Sequence, residues 1–285
     1  MLKVDFKKYK GFDRQLVYCA IAIFVVGLLF LFSSTYPNNV EFVLRQVVWF
    51  LIGAVVFIAM ININYRQIVG VGHVFYCLSV LLLLVVLLAG SRRLGAQRWL
   101  SLGAFNIQPS EFVKLFITLS LVQFFATHKS GHNAKNVFTS IAITAMPFAL
   151  IMLQPDLGTA LMLVPILFIL LYVWGAHIRH LLVMIFSALL VSPLGWFLLK
   201  EYQKERLMVF LDPGVDPLGA GYTIIQSRIA IGSGGWFGKG WLSGTQNQLN
   251  FLAERHTDFI FSVAGEEWGF LGGMILLALY FILIK

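Results

Sequence analysis

The sequence predicts an all-α polytopic membrane protein. Hydrophobic residues make up 59% of its 285 positions and charged residues only 12%, whereas a soluble domain carries roughly a quarter charged residues. The apolar residues come in blocks of 17–23, and helices of that length cross about 30 Å of hydrocarbon. Only helices and closed barrels satisfy their backbone polar groups in lipid, and these blocks lack the alternation of barrel strands.

Eight transmembrane helices follow from these blocks, and the whole chain 1–285 is predicted to form one membrane domain. The predicted spans are 16–34, 44–62, 68–90, 110–127, 138–154, 157–175, 180–199 and 267–284. A large polar loop, 200–266, separates the seventh span from the eighth. Basic residues before the first span predict a cytoplasmic N-terminus, so 200–266 would face outward and the loop holding Lys129 inward. These basic residues are Lys3, Lys7, Lys8, Lys10 and Arg14.

Charged residues collect on the predicted outer side. Eleven of the thirteen acidic residues fall there, together with many cations. Because basic residues are disfavoured in short outer loops, the cations indicate a site for an anion. A long translocated loop also tolerates charge without any function, and this alternative stays open for 200–266. The net charge of +8 is spread over many loops, so nucleic acid is not a predicted partner.

A first polar patch covers residues 95–114. Ser110, which follows Pro109, is predicted to cap the fourth span, and Glu111 and Lys114 lie three residues apart on one helical face. A charge in a bilayer costs about 2.5–3.5 kcal/mol, so both side chains are expected to face the bundle interior or a wet cavity. A structural ion pair and a grip on a substrate are both open readings of this pair.

A second polar site is the tight connection 154–159, which contains Asp156. This carboxylate is predicted either to cap the sixth span or to line a site, and the two roles are compatible.

The 200–266 segment holds the most polar side chains, among them Gln226, Ser227 and a glycine-rich run, 232–240. The run is not a nucleotide-binding loop, because Gly240 follows Gly238 and Lys239 where a Walker A motif requires Ser or Thr. No βαβ pattern supports a dinucleotide site either. Its glycines permit close backbone approach, with Lys239 available to a phosphate. An irregular loop without a site is the alternative.

Asp258 stands where this polar segment gives way to an apolar run. The position predicts a carboxylate at the membrane surface, partly removed from water, which binds a proton more readily and suits a general base. His256 alone is weak evidence for a transition metal, whereas an oxygen-ligated Mg²⁺ stays open. The residues fit an enzyme acting on an anionic lipid-linked substrate, which the one-sided charge favours, or a transporter.

Several motifs in a fixed order resemble the SEDS family. They are Gly-Ala-Gln-Arg-Trp-Leu with Gln-Pro-Ser-Glu-Phe (95–112), Gln-Pro-Asp-Leu-Gly-Thr-Ala (154–160), Gln-Ser-x-Ile-Ala-Ile-Gly-Ser-Gly-Gly (226–235), Gly-Lys-Gly with Gly-Thr-Gln (238–246) and His-Thr-Asp-Phe-Ile-Phe (256–261). The Gly-Lys-Gly version is similar to the elongation branch of the family rather than the division branch. Ala253 departs from the family pattern, which usually has proline there.

The resemblance implies a peptidoglycan glycosyltransferase of the bacterial cytoplasmic membrane that polymerises lipid II outside the membrane. It implies a class B penicillin-binding protein transpeptidase and other elongasome membrane proteins as partners. The essential aspartate of the family corresponds to Asp258, and its functionally sensitive positions correspond to Glu111, Lys114 and Asp156. Family members have ten spans, so two more would follow the eight predicted here.

The implied reaction inverts the anomeric carbon, which requires a base on the acceptor and charge stabilisation on the leaving diphosphate. Asp258 is the predicted base. A lipid II flippase is the alternative function, and an inactive scaffold that binds the transpeptidase is a third. The outer cations, with Arg98, Lys114 and Lys239 first among them, or a Mg²⁺ or Mn²⁺ held by carboxylates, are predicted to stabilise the leaving diphosphate. The predicted substrate-binding residues are Glu111, Lys114, Arg98, Asp156, Lys239, Arg255, His256, Gln226 and Ser227.

Overall fold

The computed structural model describes residues 13–36, 39–93, 96–102, 105–128 and 133–285. Six residues used in the sequence analysis lie outside these ranges, namely Lys3, Lys7, Lys8, Lys10, Gly95 and Lys129. The cytoplasmic N-terminus, which depends on the first four of them, therefore stays a prediction.

Helices account for most of the described residues. In chain order they are α1 (Arg14–Thr35), α2 (Glu41–Ile61), α3 (Tyr65–Gly70), α4 (Gly72–Ala89), α5 (Pro109–Thr127), α6 (Ala134–Leu153), α7 (Leu157–Val173), α8 (Ile178–Leu198), α9 (Glu201–Leu211), α10 (Tyr222–Ser233), α11 (Thr245–Gln248) and α12 (Ile260–Ile284). The prediction of an all-α polytopic membrane protein is confirmed.

Among the described residues, seven of these helices are long and apolar enough to cross a membrane: α1, α2, α4, α5, α6, α8 and α12. The predicted span 157–175 corresponds to α7, which has 17 residues and is shorter than the others. The seven helices occupy the positions of the other seven predicted spans, with ends that differ by a few residues except at α12.

A small antiparallel sheet lies between α4 and α5, where the sequence analysis predicted only a loop. Its strands are β1 (Ser91–Arg93), β2 (Ala96–Leu102) and β3 (Phe105–Ile107), in the order β1-β2-β3. Strands of three to seven residues contain too few alternations to stand out from a loop pattern.

The predicted loop 200–266 is also more ordered than expected, because α9, α10 and α11 lie within it. In addition, α12 begins at Ile260 rather than at the predicted residue 267. Glu266 and Glu267 suggested the end of a polar loop, but both are buried inside this helix with none of their surface exposed. The apolar span therefore begins earlier than the positions of its carboxylates suggest.

The chain divides into two compact units, Ile63–Leu199 and a second unit made of Met1–Asn62 with Lys200–Lys285. The first unit has a core to which α5 contributes Val113, Ile117 and Leu121, all fully buried. Their spacing of four residues places them on one face of the helix. In the second unit, α1 and α10 both pack against α12. The prediction of a single membrane domain stays a prediction.

Candidate functional site

Arg98 and Asp156 come together in the unit Ile63–Leu199. The Arg98 Nη1 atom lies 3.7 Å from Asp156 Oδ1, and the guanidinium also donates hydrogen bonds to the carbonyl oxygens of Gln154 and Pro155. Asp156 is 5% exposed, so the ion pair is largely protected from water. A buried carboxylate requires such partners, because an isolated charge is costly to remove from water.

Asp156 also caps α7, as one of its two predicted roles required. Its side chain accepts hydrogen bonds from the backbone nitrogen of Thr159 at 3.3 Å and from Thr159 Oγ1 at 2.9 Å. Gln108 Nε2 donates a further hydrogen bond to Asp156 Oδ2 at 3.1 Å. Asp156 therefore connects the start of α7 to the entry of α5 and to β2.

The entry of α5 differs from the prediction at Ser110. The N-cap residue is Gln108 and Pro109 is the first helical residue, so the prediction that Ser110 caps the helix is wrong. Proline favours the first helical position, because its missing N–H is one that no helical carbonyl would accept. Ser110 instead accepts a hydrogen bond from Gln108 Nε2 at 3.1 Å.

Glu111 and Lys114 form an ion pair on the first turns of α5, with 2.6 Å between Glu111 Oε2 and Lys114 Nζ. The Glu111 side chain is 53% exposed and that of Lys114 is 27% exposed. Glu111 lies in the first turn, where a negative charge is favourable to the helix dipole. The structural pair thus exists, and its exposure leaves both groups accessible to a ligand.

Asp258 lies in the turn just before α12 and is exposed. Within the described ranges it has neither a hydrogen-bond partner nor an ion-pair partner. The protein itself therefore leaves this carboxylate uncovered, and its predicted partial removal from water at the membrane surface stays a prediction. The apolar residues after it turn inward as α12 begins, with Ser262 to Glu267 buried, while the turn that bears Asp258 stands outside that core.

Arg255 precedes Asp258 by three residues and lines a polar cavity of about 340 Å³. Its guanidinium donates hydrogen bonds to the backbone oxygen of Asn247 and to Asn250 Oδ1. Burial lowers the pKa of Arg255, yet an arginine stays protonated in proteins. None of the described carboxylates forms an ion pair with this cation. The other residues that line the cavity are Ser33, Tyr36, Leu242, Asn247, Gln248 and Asn250.

His256 lies between these two groups in the sequence. Its Nε2 atom is 3.8 Å from Glu254 Oε2, and its ring lies 4.5 Å from that of Phe42 on α2. The aromatic contact places one side of the turn against α2, so Arg255, His256 and Asp258 share a short segment with different surroundings.

Lys239 has a carboxylate partner inside the protein. Its Nζ atom lies 2.8 Å from Glu266 Oε1, and Thr245 Oγ1 and the backbone nitrogen of Gln246 donate to the same oxygen at 2.9 and 3.1 Å. Glu266 has no exposed surface, while the Lys239 side chain is 28% exposed. The predicted phosphate contact of Lys239 thus competes with a buried ion pair.

The glycine-rich run 232–240 packs against a break in α12 at Gly269, whose φ is 65° and ψ is −159°. The amides of Phe270 and Leu271, freed by the break, donate to the carbonyls of Gly235 and Trp236 at 2.8 and 3.2 Å. In the opposite direction, the amides of Lys239 and Gly240 donate to the carbonyls of Glu266 and Glu267, both at 3.0 Å. The break therefore leaves these backbone groups satisfied, as a membrane environment requires.

Glycine is required where this run meets α12. A Cβ at Gly238, whose φ is 78°, would overlap the carbonyl group of Glu267, and one at Gly234 would overlap the carbonyl oxygen of Gly265. The close backbone approach predicted from the glycines is thus identified as contact with α12.

Ser227 and Gln226 lie on α10, beside the same helix. Ser227 Oγ is 2.7 Å from Ser262 Oγ, which is four residues beyond Asp258. Gln226 is partly exposed. Ser227 therefore contacts the first turn of α12 rather than standing free.

The roles of Glu266, Glu267 and Ser33 were not predicted from the sequence. Ser33 Oγ on α1 donates to Glu267 Oε1 at 2.5 Å, and both side chains are buried. The available signal was two adjacent carboxylates inside an apolar helix, with glycines on either side of them at Gly265 and Gly269. Buried carboxylates demand partners, and the glycines leave room for those partners to approach.

Comparison with known proteins extends over nearly the whole chain. Residues 13–285 match the FtsW/RodA/SpoVE family, described as cell cycle protein. The peptidoglycan glycosyltransferase MrdB of Escherichia coli K12 is 40% identical over 273 residues, which cover 95% of this chain and 74% of MrdB. The peptidoglycan glycosyltransferase RodA of Treponema pallidum is 31% identical over 345 residues, covering 94% and 80% of the two chains.

Solved structures are similar too. One concerns the structural coordination of polymerization and crosslinking by a peptidoglycan synthase complex; its matching chain has a TM-score of 0.79 and 33% identity, covering 96% of this chain and 76% of that one. The crystal structure of the rod shape-determining protein RodA of Thermus thermophilus has a TM-score of 0.66 and 29% identity, with 97% and 74% covered.

Proposed function

The chain belongs to the FtsW/RodA/SpoVE family of cell cycle proteins, and we propose that it is a peptidoglycan glycosyltransferase that polymerises lipid II in bacterial cell elongation. The names of its relatives MrdB and RodA support the reaction class. The structural observation that carries the proposal is the turn 254–258. It presents an exposed carboxylate without a partner, Asp258, three residues from the cation Arg255, which lines a polar cavity.

The reaction joins two saccharides with inversion at the anomeric carbon. Asp258 accepts the proton of the acceptor 4-hydroxyl group as the oxygen attacks carbon 1 of the donor sugar. The bond from carbon 1 to the diphosphate oxygen breaks, and undecaprenyl diphosphate leaves with the electron pair. A general base requires a carboxylate that a substrate hydroxyl group reaches directly, and the exposure of Asp258 supports this assignment.

The leaving diphosphate requires positive charge. Arg255 is the first candidate, because it has no carboxylate partner among the described residues and its planar guanidinium suits paired phosphate contacts. Lys239, in the same unit, is a further candidate for the diphosphate, with an ion-pair partner and 28% of its side chain exposed. Arg98 and Lys114 of the unit Ile63–Leu199 are kept as proposed substrate contacts, with 23% and 27% of their side chains exposed.

The other predicted substrate contacts are kept as proposals. Glu111 is exposed enough to meet a ligand directly. The contacts of Ser227 with Ser262 and of Asp156 with Arg98 and Gln108 support positioning roles for both. The remaining two proposed substrate contacts are His256 and Gln226.

A protein cage for Mg²⁺ or Mn²⁺ is not found in the described part of the chain. There, no group of three or more His, Cys, Asp or Glu side chains is placed to hold a metal ion. The residues present therefore do not fit a metal held by the protein alone, and no step above depends on one.

We also propose that α7 crosses the membrane as the sixth of eight spans, and that the predicted loop 200–266 lies outside the cytoplasmic membrane up to the start of α12 at Ile260. The 17 residues of α7 lie at the short end of the range of about 17–25 that crosses a bilayer. A class B penicillin-binding protein and other elongasome membrane proteins are the proposed partners. The similarity to a chain of a peptidoglycan synthase complex supports the first of these.

The test is polymerisation by the purified chain with its transpeptidase partner and labelled lipid II, comparing wild type with Asp258→Asn. Glycan on a gel is expected from wild type, and a 10²–10⁴-fold slower reaction from the variant, the usual loss for a general base. Glu205→Gln, which changes an exposed carboxylate on α9, is the matched control. Normal polymerisation by Asp258→Asn would contradict the assignment. Lipid II that changes leaflet without forming glycan would support the flippase instead.

A further inference from the structure

A cavity of about 620 Å³ runs between α1, α2 and α12, next to the turn that bears Asp258. Pockets for small molecules have volumes of about 300–1,000 Å³. All the elements that line it belong to the unit of Met1–Asn62 and Lys200–Lys285. A second cavity of about 290 Å³ continues it, with Ile23, Gly27, Ile260 and Tyr280 lining both.

The two ends of the cavity differ in chemistry. Arg45 and Gln46 near the start of α2, with His256 and Thr257 of the turn, make one end polar. Towards the middle of α1 and α2 the walls are apolar and aromatic, with Phe24 stacked on Phe50 at 3.7 Å between ring centroids. The lining residues of α1 run from Ala20 to Leu31, which spans about 16 Å along a helix.

Arg45 supplies a cation at the polar end. Its Nη2 atom lies 3.4 Å from Glu41 Oε2, with 68% and 82% of the two side chains exposed. Exposed pairs of this kind contribute little, so Glu41 does not compete strongly with a more highly charged ligand. The turn at this end carries two further carboxylates, Glu254, whose Oε2 atom lies 3.8 Å from His256 Nε2, and Asp258.

From this arrangement we infer that the cavity binds the isoprenoid tail of the acceptor lipid-linked sugar diphosphate, with its diphosphate end at Arg45 and His256, whereas the leaving diphosphate proposed for Arg255 belongs to the donor. The inference rests on the proposed function and adds the place of the lipid. A long hydrocarbon chain fits the apolar part of the cavity, which lies between the membrane-spanning helices α1 and α2. The anionic diphosphate fits the polar end, where Arg45 supplies a positive charge. His256 is two residues from Asp258, so a lipid held this way brings its sugar to the proposed base.

Gly27 provides a direct test, because it lines the cavity and a Cβ there would meet no atom within 4 Å. Gly27→Leu should therefore fill the slot without a clash, and leucine favours a helix more than glycine does. Gly53→Leu on α2 is the matched control, since Gly53 also has no atom within 4 Å of a Cβ and does not line the cavity.

The measurement is crosslinking of a photoreactive undecaprenyl diphosphate to the full chain in phosphatidylglycerol nanodiscs, with the labelled residues mapped. Labelling of wild type and Gly53→Leu is expected on α1 and α2, and binding to Gly27→Leu is expected to be at least ~10-fold weaker. Arg45→Gln should weaken binding of the diphosphate but not of undecaprenol, whereas Arg14→Gln at the other end of α1 should change neither.

Unchanged binding to Gly27→Leu, or labelling confined to other helices, would overturn the inference. The proposed function is scored separately by polymerisation. If Gly27→Leu makes glycan with wild-type affinity for lipid II, the tail site is wrong and the enzyme assignment stands. If wild type makes no glycan yet Gly27→Leu still loses the probe, the lipid site stands without the activity.

Discussion

Two carboxylates eight residues apart, Asp258 and Glu266, have opposite surroundings. Glu266 is fully buried and accepts hydrogen bonds from Lys239, Thr245 and the backbone of Gln246. Asp258 is exposed and has no partner in the described part of the chain. A carboxylate whose hydrogen bonds are made inside the protein contributes to the fold, whereas one without partners is available to a substrate. Within one short segment, Glu266 therefore has the surroundings of a structural residue and Asp258 those of a residue that is available to a substrate.

The largest expected effect, and the strongest test of this contrast between Asp258 and Glu266, is the loss of activity when Asp258 is replaced. Asp258→Asn should slow glycan formation 10²–10⁴-fold, while the free energy of unfolding changes by less than ~0.5 kcal/mol, as for other exposed positions. Denaturant unfolding in detergent beside the polymerisation assay measures both quantities. A variant that is destabilised in proportion to its lost activity would give Asp258 a structural role.

Glu266→Gln should show the reverse pattern. Breaking a buried ion pair costs about 3–5 kcal/mol, and because Lys239 is 28% exposed we expect about 2–3 kcal/mol of lost stability. Unfolding of the variant measures this loss directly. Lys239→Met combined with Glu266→Gln should recover part of it, since no uncompensated charge then stays at the site. If the Glu266→Gln variant were stable but inactive, Glu266 would have a role in catalysis rather than in stability.

Gly238→Ala should sharpen the comparison by loosening the run that brings Lys239 to Glu266. The positive φ and the overlap with Glu267 predict a loss of about 1–3 kcal/mol. Gly232→Ala in α10 is the control, because a Cβ there meets no atom within 4 Å, and it should be neutral or stabilising by up to ~1 kcal/mol. Equal stabilities of the two variants would contradict the packing of this run on α12.

The smallest effect is expected at Asp156. Asn caps helices about as well as Asp, so Asp156→Asn should lose only the interaction with Arg98, whose atoms are 3.7 Å apart. We expect less than about 1 kcal/mol of lost stability, with a further ~1 kcal/mol for Asp156→Ala, which also removes the cap. Thermal unfolding of the three proteins gives both differences. A larger loss in Asp156→Asn than in Asp156→Ala would show that the cap is unimportant.

Some of the site could be predicted from residue types and spacing. Glu111 and Lys114, three residues apart on a helix, form the ion pair that was one of two open readings, and Asp156 has the capping role that was one of its two predicted roles. These contacts are local, so helical periodicity determines them. The prediction that Ser110 caps α5 was wrong because it rested on the hydroxyl group of Ser110. It overlooked the preference of the preceding Pro109 for the first helical position.

Other features depend on contacts that spacing does not encode. The exposure of Asp258 could not be read from the apolar run after it, because that run turns inward as α12 begins. Lys239 was predicted to be available to a phosphate, but its Nζ atom donates a hydrogen bond to Glu266, which lies 27 residues later in the chain. The small sheet at 91–107 was missed since its strands are too short to show a period.

The sequence by itself determined the membrane class and the family. The long apolar blocks determine the membrane class, because exposing them to water is unfavourable. The motifs determine the family, because their order is a property of the linear chain. Only the tertiary structure decided which carboxylates are buried, why the glycine-rich run is needed, and where the cavity between α1, α2 and α12 lies. The physical reason is distance along the chain. Ser33 and Glu267 are 234 positions apart and share a hydrogen bond, and nothing in the neighbourhood of either residue specifies the other.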